Sequence, residues 1–423
     1  MLARIVLWFC IVLVADARSP HADFVEGLAK SHAFGNRISD NILEDAILDL
    51  PDLVRKYNYP FEEHTVTTED GYILGVHRIP HGRDSNNRPG NKPVVFLMHG
   101  LVASSADYIT MGPGTAIAYY LAEEGFDVWL GNARGTHFSR RHTTLNPDAR
   151  FNSTFWQFSW DEIGNKDLPA MIDYVLDYTG KPALHYIGMS QGTTTFFVMA
   201  ALRPDYNKKI ISMQAMAPVA YMAHNNNPLF LMLSPYVREL ERISSLLGIT
   251  ELFPRREIYT KLGLRFCVDG AITQPICTRL IFFIAGGNED QHNATMFPVK
   301  AGHAPAGISA RQLLHYGQSI KDKGFRRYDH GPLQNIQIYG RSSPPTYDLS
   351  KITAPVFLHY SAKDPLAHLN DVERLHRELG NPAGKLLVPH PEFSHADFLY
   401  GINAKTLVYE AIVRSMRLYD HSS

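Results

Sequence analysis

Apolar runs of strand length alternate with helix-length patterns in two parts of the chain. The runs of the first part are KPVVFLMHG (92–100), FDVWLGNARG (126–135), ALHYIGMS (183–190) and IISMQAMAP (210–218). Those of the second part are APVFLHYSAKD (354–364) and KLLVPHPEFSH (385–395). Strands that alternate with helices predict an α/β protein with a mostly parallel sheet covered by helices on both faces, because each parallel connection needs a crossover.

Two further elements are predicted ahead of the first apolar run. The segment EEHTVTTEDGYILGVHRIP (62–80) alternates as two strands around Asp70-Gly71, a dipeptide typical of a β-hairpin turn. A helix is expected around 42–57, ahead of this hairpin.

The alternation stops at Pro218 and resumes only at Ala354. A gap of roughly 130 residues is far longer than an ordinary crossover connection, so it predicts a subdomain inserted over the sheet. Within it, PLFLMLSPYVRELERISSLLGITELF (228–253) has the three and four spacing of an amphipathic helix. The predicted organisation is a first core part over 18–218, a cap and lid insertion over 219–350, and a second core part over 351–423.

The first 17 residues, MLARIVLWFCIVLVADA, predict a signal peptide. Arg4 precedes a short apolar run, and Ala15 and Ala17 have the spacing of a cleavage site. The alternative, a membrane anchor, is disfavoured because the apolar run is about half the length of a spanning helix. We see no later stretch long enough to span, so no transmembrane anchor is expected once the leader is removed.

The remaining cysteines and two sequons fit a secretory route. Removal of the leader leaves Cys267 and Cys277, which either pair in an oxidising compartment or remain two buried thiols. Asn152 begins the sequence Asn-Ser-Thr and Asn293 begins Asn-Ala-Thr, and both match the acceptor pattern for N-glycosylation. The expected location is therefore the secretory pathway, with an extracellular or lysosomal destination.

The composition and the absence of certain motifs argue against several classes of partner and cofactor. The 423 residues carry a formal net charge of -1 at pH 7, which gives no electrostatic reason to expect nucleic acid or an anionic membrane as partner. The chain has no HExxH pattern, cysteine cluster or phosphate-binding glycine loop. We therefore expect no metal and no cofactor.

The motif GMSQG places Ser190 where a strand pattern turns into a helix pattern. A nucleophile at the end of a parallel strand must stand on a sharp turn, and small residues at positions 188 and 192 leave room for the crossing backbone. Gly188 and Gly192 thus predict a nucleophile elbow around Ser190. The alternative is an ordinary glycine-flanked serine in a loop.

A serine hydroxyl needs a base, and the base needs an acid that fixes its tautomer. Asp364 ends one late strand and His395 follows the last one, so Ser190, Asp364 and His395 have the chain order of an α/β-hydrolase triad. The rival acids are Asp371 and Asp397, and the rival bases are His390, His368 and His315. Their positions along the chain make them weaker candidates than Asp364 and His395.

The reaction also requires donors for the oxyanion of the tetrahedral intermediate. We assign them to the backbone N–H groups of Leu101, in the loop after the first central strand, and of Gln191, next to the nucleophile. His99 is expected to orient this loop by a hydrogen bond rather than to accept a proton. A structural His-Gly turn is the alternative.

Several separated motifs resemble the acid lipase family, the group that contains gastric and lysosomal acid lipases. Beside GMSQGTT they are HGLVASSADYI, FDVWLGNARGTHFSRRH, FWQFSWDEIGNKDLPAMIDYV, HAPAGISARQLLHYGQ, YSAKDPL and FSHADFLYG, which together span nearly all of the mature chain. The resemblance implies an α/β-hydrolase fold, hydrolysis of neutral lipid esters at a lipid–water interface, and the triad Ser190, Asp364 and His395. It also implies a Cys267–Cys277 bridge and a cap with a mobile lid.

The resemblance has one departure, because the family often has histidine where Met189 stands. This change leaves the nucleophile intact and alters the packing behind it. Lid residues are expected between about 225 and 253; the alternative is a fixed cap over a small pocket.

The leading hypothesis is a serine lipase for triacylglycerols or sterol esters, and the alternatives are a carboxylesterase for soluble esters or a catalytically silent lipid-binding protein.

Overall fold

The computed structural model describes residues 39–83, 88–149, 154–255, 257–268 and 271–420. The predicted leader, residues 1–17, and the sequon residue Asn152 lie outside these ranges. The strands are β1 (Glu62–Thr67), β2 (Tyr72–Ile79), β3 (Val94–Met98), β4 (Asp127–Gly131), β5 (Arg141–His142), β6 (Leu184–Met189), β7 (Ile210–Met216), β8 (Glu251–Leu252), β9 (Ile308–Ser309), β10 (Val356–Tyr360) and β11 (Pro382–Leu387).

The α-helices are α1 (Asp40–Ile47), α2 (Leu50–Lys56), α3 (Ile117–Glu123), α4 (Trp160–Glu162), α5 (Leu168–Thr179), α6 (Gln191–Leu202), α7 (Pro228–Leu233), α8 (Val237–Leu247), α9 (Glu257–Phe266), α10 (Gln274–Ala285), α11 (Phe297–His303), α12 (Ala310–Asp322), α13 (Pro332–Tyr339), α14 (Leu369–Glu378), α15 (Asp397–Tyr400) and α16 (Glu410–Asp420). Short 3₁₀ segments are Ser105–Tyr108, His137–Ser139, Pro204–Lys209, Ser234–Tyr236, Ala294–Met296 and Leu349–Lys351, and π-helical segments are Ile163–Asp167 and Lys405–Tyr409.

The main sheet has the strand order β1-β2-β4-β3-β6-β7-β10-β11, and β5 pairs with β2. In the stretch β4-β3-β6-β7-β10-β11 of this order every neighbouring pair is parallel. The pairs β1–β2, β2–β4 and β2–β5 are antiparallel. Every residue of β3, β4, β6 and β10 is buried, as expected for parallel strands with helices on both faces. The predicted fold class, a mostly parallel α/β-hydrolase sheet, is confirmed.

The N-terminal hairpin forms as predicted, with Glu62 opposite Arg78 and Thr67 opposite Ile73. Gly71 in its turn has a φ of 93°, a conformation that glycine adopts without steric cost. The single helix predicted over 42–57 is wrong, since two helices, α1 and α2, form there. Asp49 precedes α2 and a proline occupies its first turn, a combination that begins a new helix rather than continuing the old one.

The elements α7 to α13 and the two-stranded sheet β8–β9 lie between β7 and β10, so the interruption seen in the sequence is a mainly helical insertion. The single amphipathic helix predicted over 228–253 is divided in the structure. Pro235 lies in the 3₁₀ segment between α7 and α8, where its missing N–H is tolerated, and Gly248 with a φ of 65° follows the end of α8. Glu251 and Leu252 then form a strand.

Candidate active site

Ser190 lies between β6 and α6 with φ 53° and ψ -116°, a strained conformation for a residue with a side chain. Its backbone is fixed by hydrogen bonds on both sides. The Ser190 N–H donates to the Met216 carbonyl at 3.0 Å, and the Ser190 carbonyl accepts from Thr193 N–H at 2.8 Å. The turn therefore lifts the hydroxyl away from the sheet at the carboxyl end of β6, as an elbow requires.

The two glycines of the motif are needed for close backbone contacts. A Cβ on Gly192 would lie 1.9 Å from the Met98 carbonyl oxygen, at the end of the neighbouring strand β3. A Cβ on Gly188 would lie 2.8 Å from the carbonyl carbon of Gly192. Neither site can accept a larger residue without moving the chain, which accounts physically for the spacing around Ser190.

The side chains of Ser190, His395 and Asp364 form one hydrogen-bonded row. His395 Nε2 lies 2.8 Å from Ser190 Oγ, and His395 Nδ1 lies 2.8 and 3.0 Å from the two oxygens of Asp364. Asp364 Oδ1 also accepts from the backbone N–H groups of Leu366 and Ala367, both at 2.8 Å. Since the carboxylate accepts at Nδ1, the imidazole presents Nε2 to the serine proton.

The rival acids bind other partners. Asp371 accepts from the backbone N–H of His224 and contacts its Nδ1, both at 2.8 Å. Asp397 accepts from Ser394 N–H at 2.8 Å, on the loop that carries His395. Neither carboxylate is joined to the ring of His395 by a hydrogen bond in the described part of the chain.

None of the three rival bases is hydrogen-bonded to Ser190 among the described residues. His315 is buried, lies 3.0 Å from Ser159 Oγ and has a pKa lowered to about 3, mainly by burial. His368 caps α14 by accepting from Asn370 N–H at 3.2 Å. His390 Nδ1 is buried, and no hydrogen-bond partner for it lies among the described residues. The arrangement brings His395, and none of these three, to Ser190.

The two residues assigned as oxyanion donors flank the serine from different loops. Among the described residues, neither the Leu101 N–H nor the Gln191 N–H donates to a protein acceptor. A Cβ on Gly100 would lie 3.3 Å from Ser190 Cβ, so the Leu101 loop passes directly beside the nucleophile. The two N–H groups beside Ser190 are therefore open to a further acceptor.

His99 holds this loop. Its Nδ1 donates to the Gly100 carbonyl at 2.8 Å, and its Nε2 accepts from Ala133 N–H at 3.0 Å. Burial lowers the pKa of His99 to about 4. The ring stays neutral above that pH and orients the loop.

One contact of the site was not foreseen from the sequence. Gln191 Nε2 donates to Gln312 Oε1 at 2.7 Å, and both side chains are buried. Gln312 belongs to α12 of the insertion, 121 residues further along the chain. No local pattern marks this residue, because its role depends on how the insertion packs over the elbow.

The structure also locates the remaining predicted residues. Cys267 and Cys277 form a disulfide bond that closes a loop over a sequence separation of 10. Met189 is buried directly before the nucleophile. Asn293 is half-buried where a short 3₁₀ turn begins. In the described ranges, no group of three or more His, Cys, Asp or Glu side chains has the arrangement of a metal site.

Comparison with known proteins places the chain among lipases. Residues 50–112 match the model of a partial alpha/beta-hydrolase lipase region, and residues 93–244 match that of the alpha/beta hydrolase fold. Lipase 1 of Drosophila melanogaster is 45% identical over 375 residues, covering 88% of this chain and 81% of that protein.

Two mammalian proteins are similar over the same extent. Gastric triacylglycerol lipase of Mus musculus is 37% identical and covers 88% of this chain and 92% of its own length. Lysosomal acid lipase/cholesteryl ester hydrolase of Homo sapiens is 37% identical, with 88% and 91% covered. Among solved structures, a hypothetical protein of Pseudomonas aeruginosa has a TM-score of 0.52 at 13% identity, covering 86% of this chain and 94% of its own, and it shares the fold alone.

Proposed function

The chain belongs to the acid lipase family, and from this premise we propose that it hydrolyses triacylglycerols or sterol esters through an acyl-enzyme on Ser190. The observation that carries the proposal is the row formed by Ser190 Oγ, His395 and Asp364, with distances of 2.8 Å at both junctions. The names of two relatives, gastric triacylglycerol lipase and lysosomal acid lipase/cholesteryl ester hydrolase, support neutral lipid esters as substrates.

Acylation begins when Ser190 Oγ attacks the ester carbonyl carbon and its proton passes to His395 Nε2. The carbonyl oxygen takes up the electron pair and is stabilised by the N–H groups of Leu101 and Gln191. Asp364 offsets the charge of the imidazolium. His395 then returns the proton to the departing alcohol, the bond from carbon to the alcohol oxygen breaks, and an acyl-serine remains.

Deacylation repeats these roles with water. His395 Nε2 takes a proton from the water as its oxygen attacks the acyl carbon, and the same two N–H groups bind the second oxyanion. When this intermediate collapses, His395 protonates Ser190 Oγ and the fatty acid leaves. One ester and one water thus yield an alcohol and an acid, with the enzyme unchanged.

The surface of the insertion supports a water-insoluble substrate. Large apolar side chains on α8, α9, α10 and the turn before α10 are exposed, with Leu246 at 80%, Ile272 at 98% and Ile276 at 67%. Contact with lipid removes such surface from water at roughly 25 cal/mol per Å². We propose that this apolar surface contacts the lipid–water interface; it extends beyond the range of 225–253 expected for the lid.

A secretory route to the extracellular space or the lysosome forms part of the proposal. Its support is the Cys267–Cys277 disulfide, which persists in oxidising compartments, and the gastric and lysosomal names of the relatives. No helix in the described ranges is long and apolar enough to cross a bilayer.

Replacement of the nucleophile tests the chemistry. Ser190→Ala should abolish ester turnover and labelling by a fluorophosphonate while the circular dichroism spectrum stays that of the wild type. Retained hydrolysis by purified Ser190→Ala protein would refute the acyl-enzyme. A wild-type protein that binds lipid esters but is not labelled would instead favour the catalytically silent alternative.

A second experiment separates a lipase from an esterase for soluble substrates. The rate on one ester, measured below and above its solubility limit, should rise sharply when droplets appear. Leu246→Gln with Ile272→Gln should reduce that rise and leave the rate on dissolved ester unchanged. Leu418→Gln is the matched control, because this leucine is 72% exposed but lies on α16 of the core. An equal effect of the control would refute a specific lipid-binding face.

A further inference from the structure

The turn formed by residues 286–292 of the insertion packs against the loop that carries His395. We propose that Asn288 in this turn is a positioning residue for the reaction: its side chain holds the 392–397 loop so that His395 stays aligned with Asp364 and Ser190. The inference rests on the proposed function, since it concerns the base that acts on the nucleophile.

Asn288 reaches both ends of the 392–397 loop. Its Nδ2 donates to the Glu392 carbonyl at 2.7 Å and to Asp397 Oδ2 at 2.9 Å. Its Oδ1 accepts from Gln291 N–H at 3.0 Å, which fixes the orientation of the amide. His395 lies between the two bonded positions, so one amide group from the insertion spans the segment that presents the base.

Asp397 transmits this hold to the residue next to the base. The oxygen that accepts from Asn288 also accepts from Ser394 N–H at 2.8 Å, and Asp397 N–H donates to the Ser394 carbonyl at 3.1 Å. Ser394 Oγ in turn donates to the Lys363 carbonyl at 3.2 Å, directly before Asp364. The loop of the base and the loop of the acid are therefore tied together at Ser394.

The turn makes two further contacts with the same region. Gly286 has a φ of 67°, and a Cβ there would lie 2.6 Å from Ser394 Oγ and 2.7 Å from Pro365 Cδ. Gln291 Oε1 accepts from Asn403 N–H at 3.0 Å. The turn therefore closely approaches Ser394, next to the base, and Pro365, next to the acid.

The charge of Asp397 makes the amide contact more important. Burial raises the pKa of Asp397 to about 7, and burial lowers the pKa of the neighbouring Lys300 to about 8. A buried carboxylate is costly unless hydrogen-bond donors compensate for lost water. Asn288 and Ser394 supply two donors to one oxygen of Asp397.

Loss of a positioning residue changes kcat, whereas loss of a residue that packs against the substrate changes KM. Asn288 donates to the loop and not to the triad side chains, so its loss should misalign His395 without removing a contact to the acyl chain. Misplacement of a catalytic group by about 1 Å can cost about a hundredfold in rate. The expected signature is a fall in kcat and in the labelling rate at Ser190, with KM for a dissolved ester unchanged.

The test compares Asn288→Ala and Asn288→Asp with Asn381→Ala. Asn381 is a matched control because its side-chain amide also donates to a backbone carbonyl, that of Thr353 at 2.9 Å, just before β11 at the opposite end of the strands from the triad. Each full-length variant is assayed for fluorophosphonate labelling, for kcat and KM on a dissolved short-chain ester, and for its circular dichroism spectrum.

Both Asn288 variants should lose at least about tenfold in kcat and in labelling rate, with KM within about twofold. The assay is run at pH 8, above the pKa of about 7 for Asp397, and there Asn288→Asp should be the slower variant, because a carboxylate cannot donate and repels the ionised Asp397. Asn381→Ala should match the wild type.

Three results would overturn the inference: rates of the Asn288 variants within twofold of Asn381→Ala, a change confined to KM, or failure of both Asn288 variants to fold. Labelled wild-type protein that does not hydrolyse lipid esters would refute the proposed substrate class, while the labelling rates would still decide the role of Asn288. A wild-type protein that is not labelled would overturn both proposals.

Discussion

Gly192→Ala places one methyl group in the tightest contact of the nucleophile elbow. The new Cβ would lie 1.9 Å from the Met98 carbonyl oxygen and 2.7 Å from its carbon, whereas real Cβ atoms essentially never approach another heavy atom within 3.0 Å. Both atoms belong to the backbone, so no rotamer change can relieve the overlap. The end of β3 and the start of α6 must separate by more than 1 Å.

This separation affects stability and rate together. Overpacking of a close-packed core costs about 1–3 kcal/mol, and we expect the upper end because only backbone can move. The same movement changes the distance between Ser190 and the Leu101 loop, because that loop follows Met98 directly in the chain. A displacement of about 1 Å predicts a loss of about a hundredfold in kcat.

Gly90→Ala is the matched control for this substitution. A Cβ on Gly90 would meet nothing within 4 Å, so the same chemical change should leave both quantities unaltered. Stability is measured from urea unfolding at constant m, and kcat from hydrolysis of a dissolved ester by folded protein. Equal unfolding midpoints and equal kcat for Gly192→Ala and Gly90→Ala would refute the reasoning that backbone contact fixes the elbow.

Three further predictions follow from the site and the insertion. Asp364→Asn should lower kcat by about 10⁴ with little change in KM, because an amide facing His395 favours the wrong tautomer; steady-state kinetics measure this. Replacing Cys267 and Cys277 by serine should reduce the free energy of unfolding by about 2–3 kcal/mol, from loss of a loop over a sequence separation of 10; urea unfolding checks it. Burial lowers the pKa of His303 from 6.5 to about 4. Between pH 6.5 and 4 this side chain is therefore protonated in the unfolded chain but not in the folded protein, so the free energy of unfolding should fall as the pH drops through that range. His303→Gln should reduce this dependence by at most about 3 kcal/mol, as followed by thermal unfolding across that pH range.

Each of these predictions has a contradicting result. An Asp364→Asn enzyme with wild-type kcat would remove the carboxylate from the mechanism. Unchanged unfolding of the double serine variant would mean that the disulfide does not constrain the unfolded chain. Identical pH profiles for His303→Gln and wild type would show that His303 is protonated equally in the folded and unfolded states.

The sequence by itself determined the elements whose signals are local. Buried parallel strands read as continuous apolar runs, and the hairpin turn needed the positive φ of Gly71, so both were predictable from neighbouring residues. The elbow at Ser190 was predictable for the same reason, because glycines at fixed spacing report a steric requirement. The order of Asp364 and His395 after late strands then limited the partners that the serine could have.

Only the tertiary structure decided which distant side chains meet. Ser190 and His395 are 205 residues apart, and a periodic pattern carries no information about their distance. The contacts of Gln312 with Gln191 and of Asn288 with Asp397 depend on how the insertion packs over the core, which no local pattern encodes. Strand and helix periods specify which face of an element is buried, whereas the position of one element against another is fixed by side-chain packing across the whole molecule.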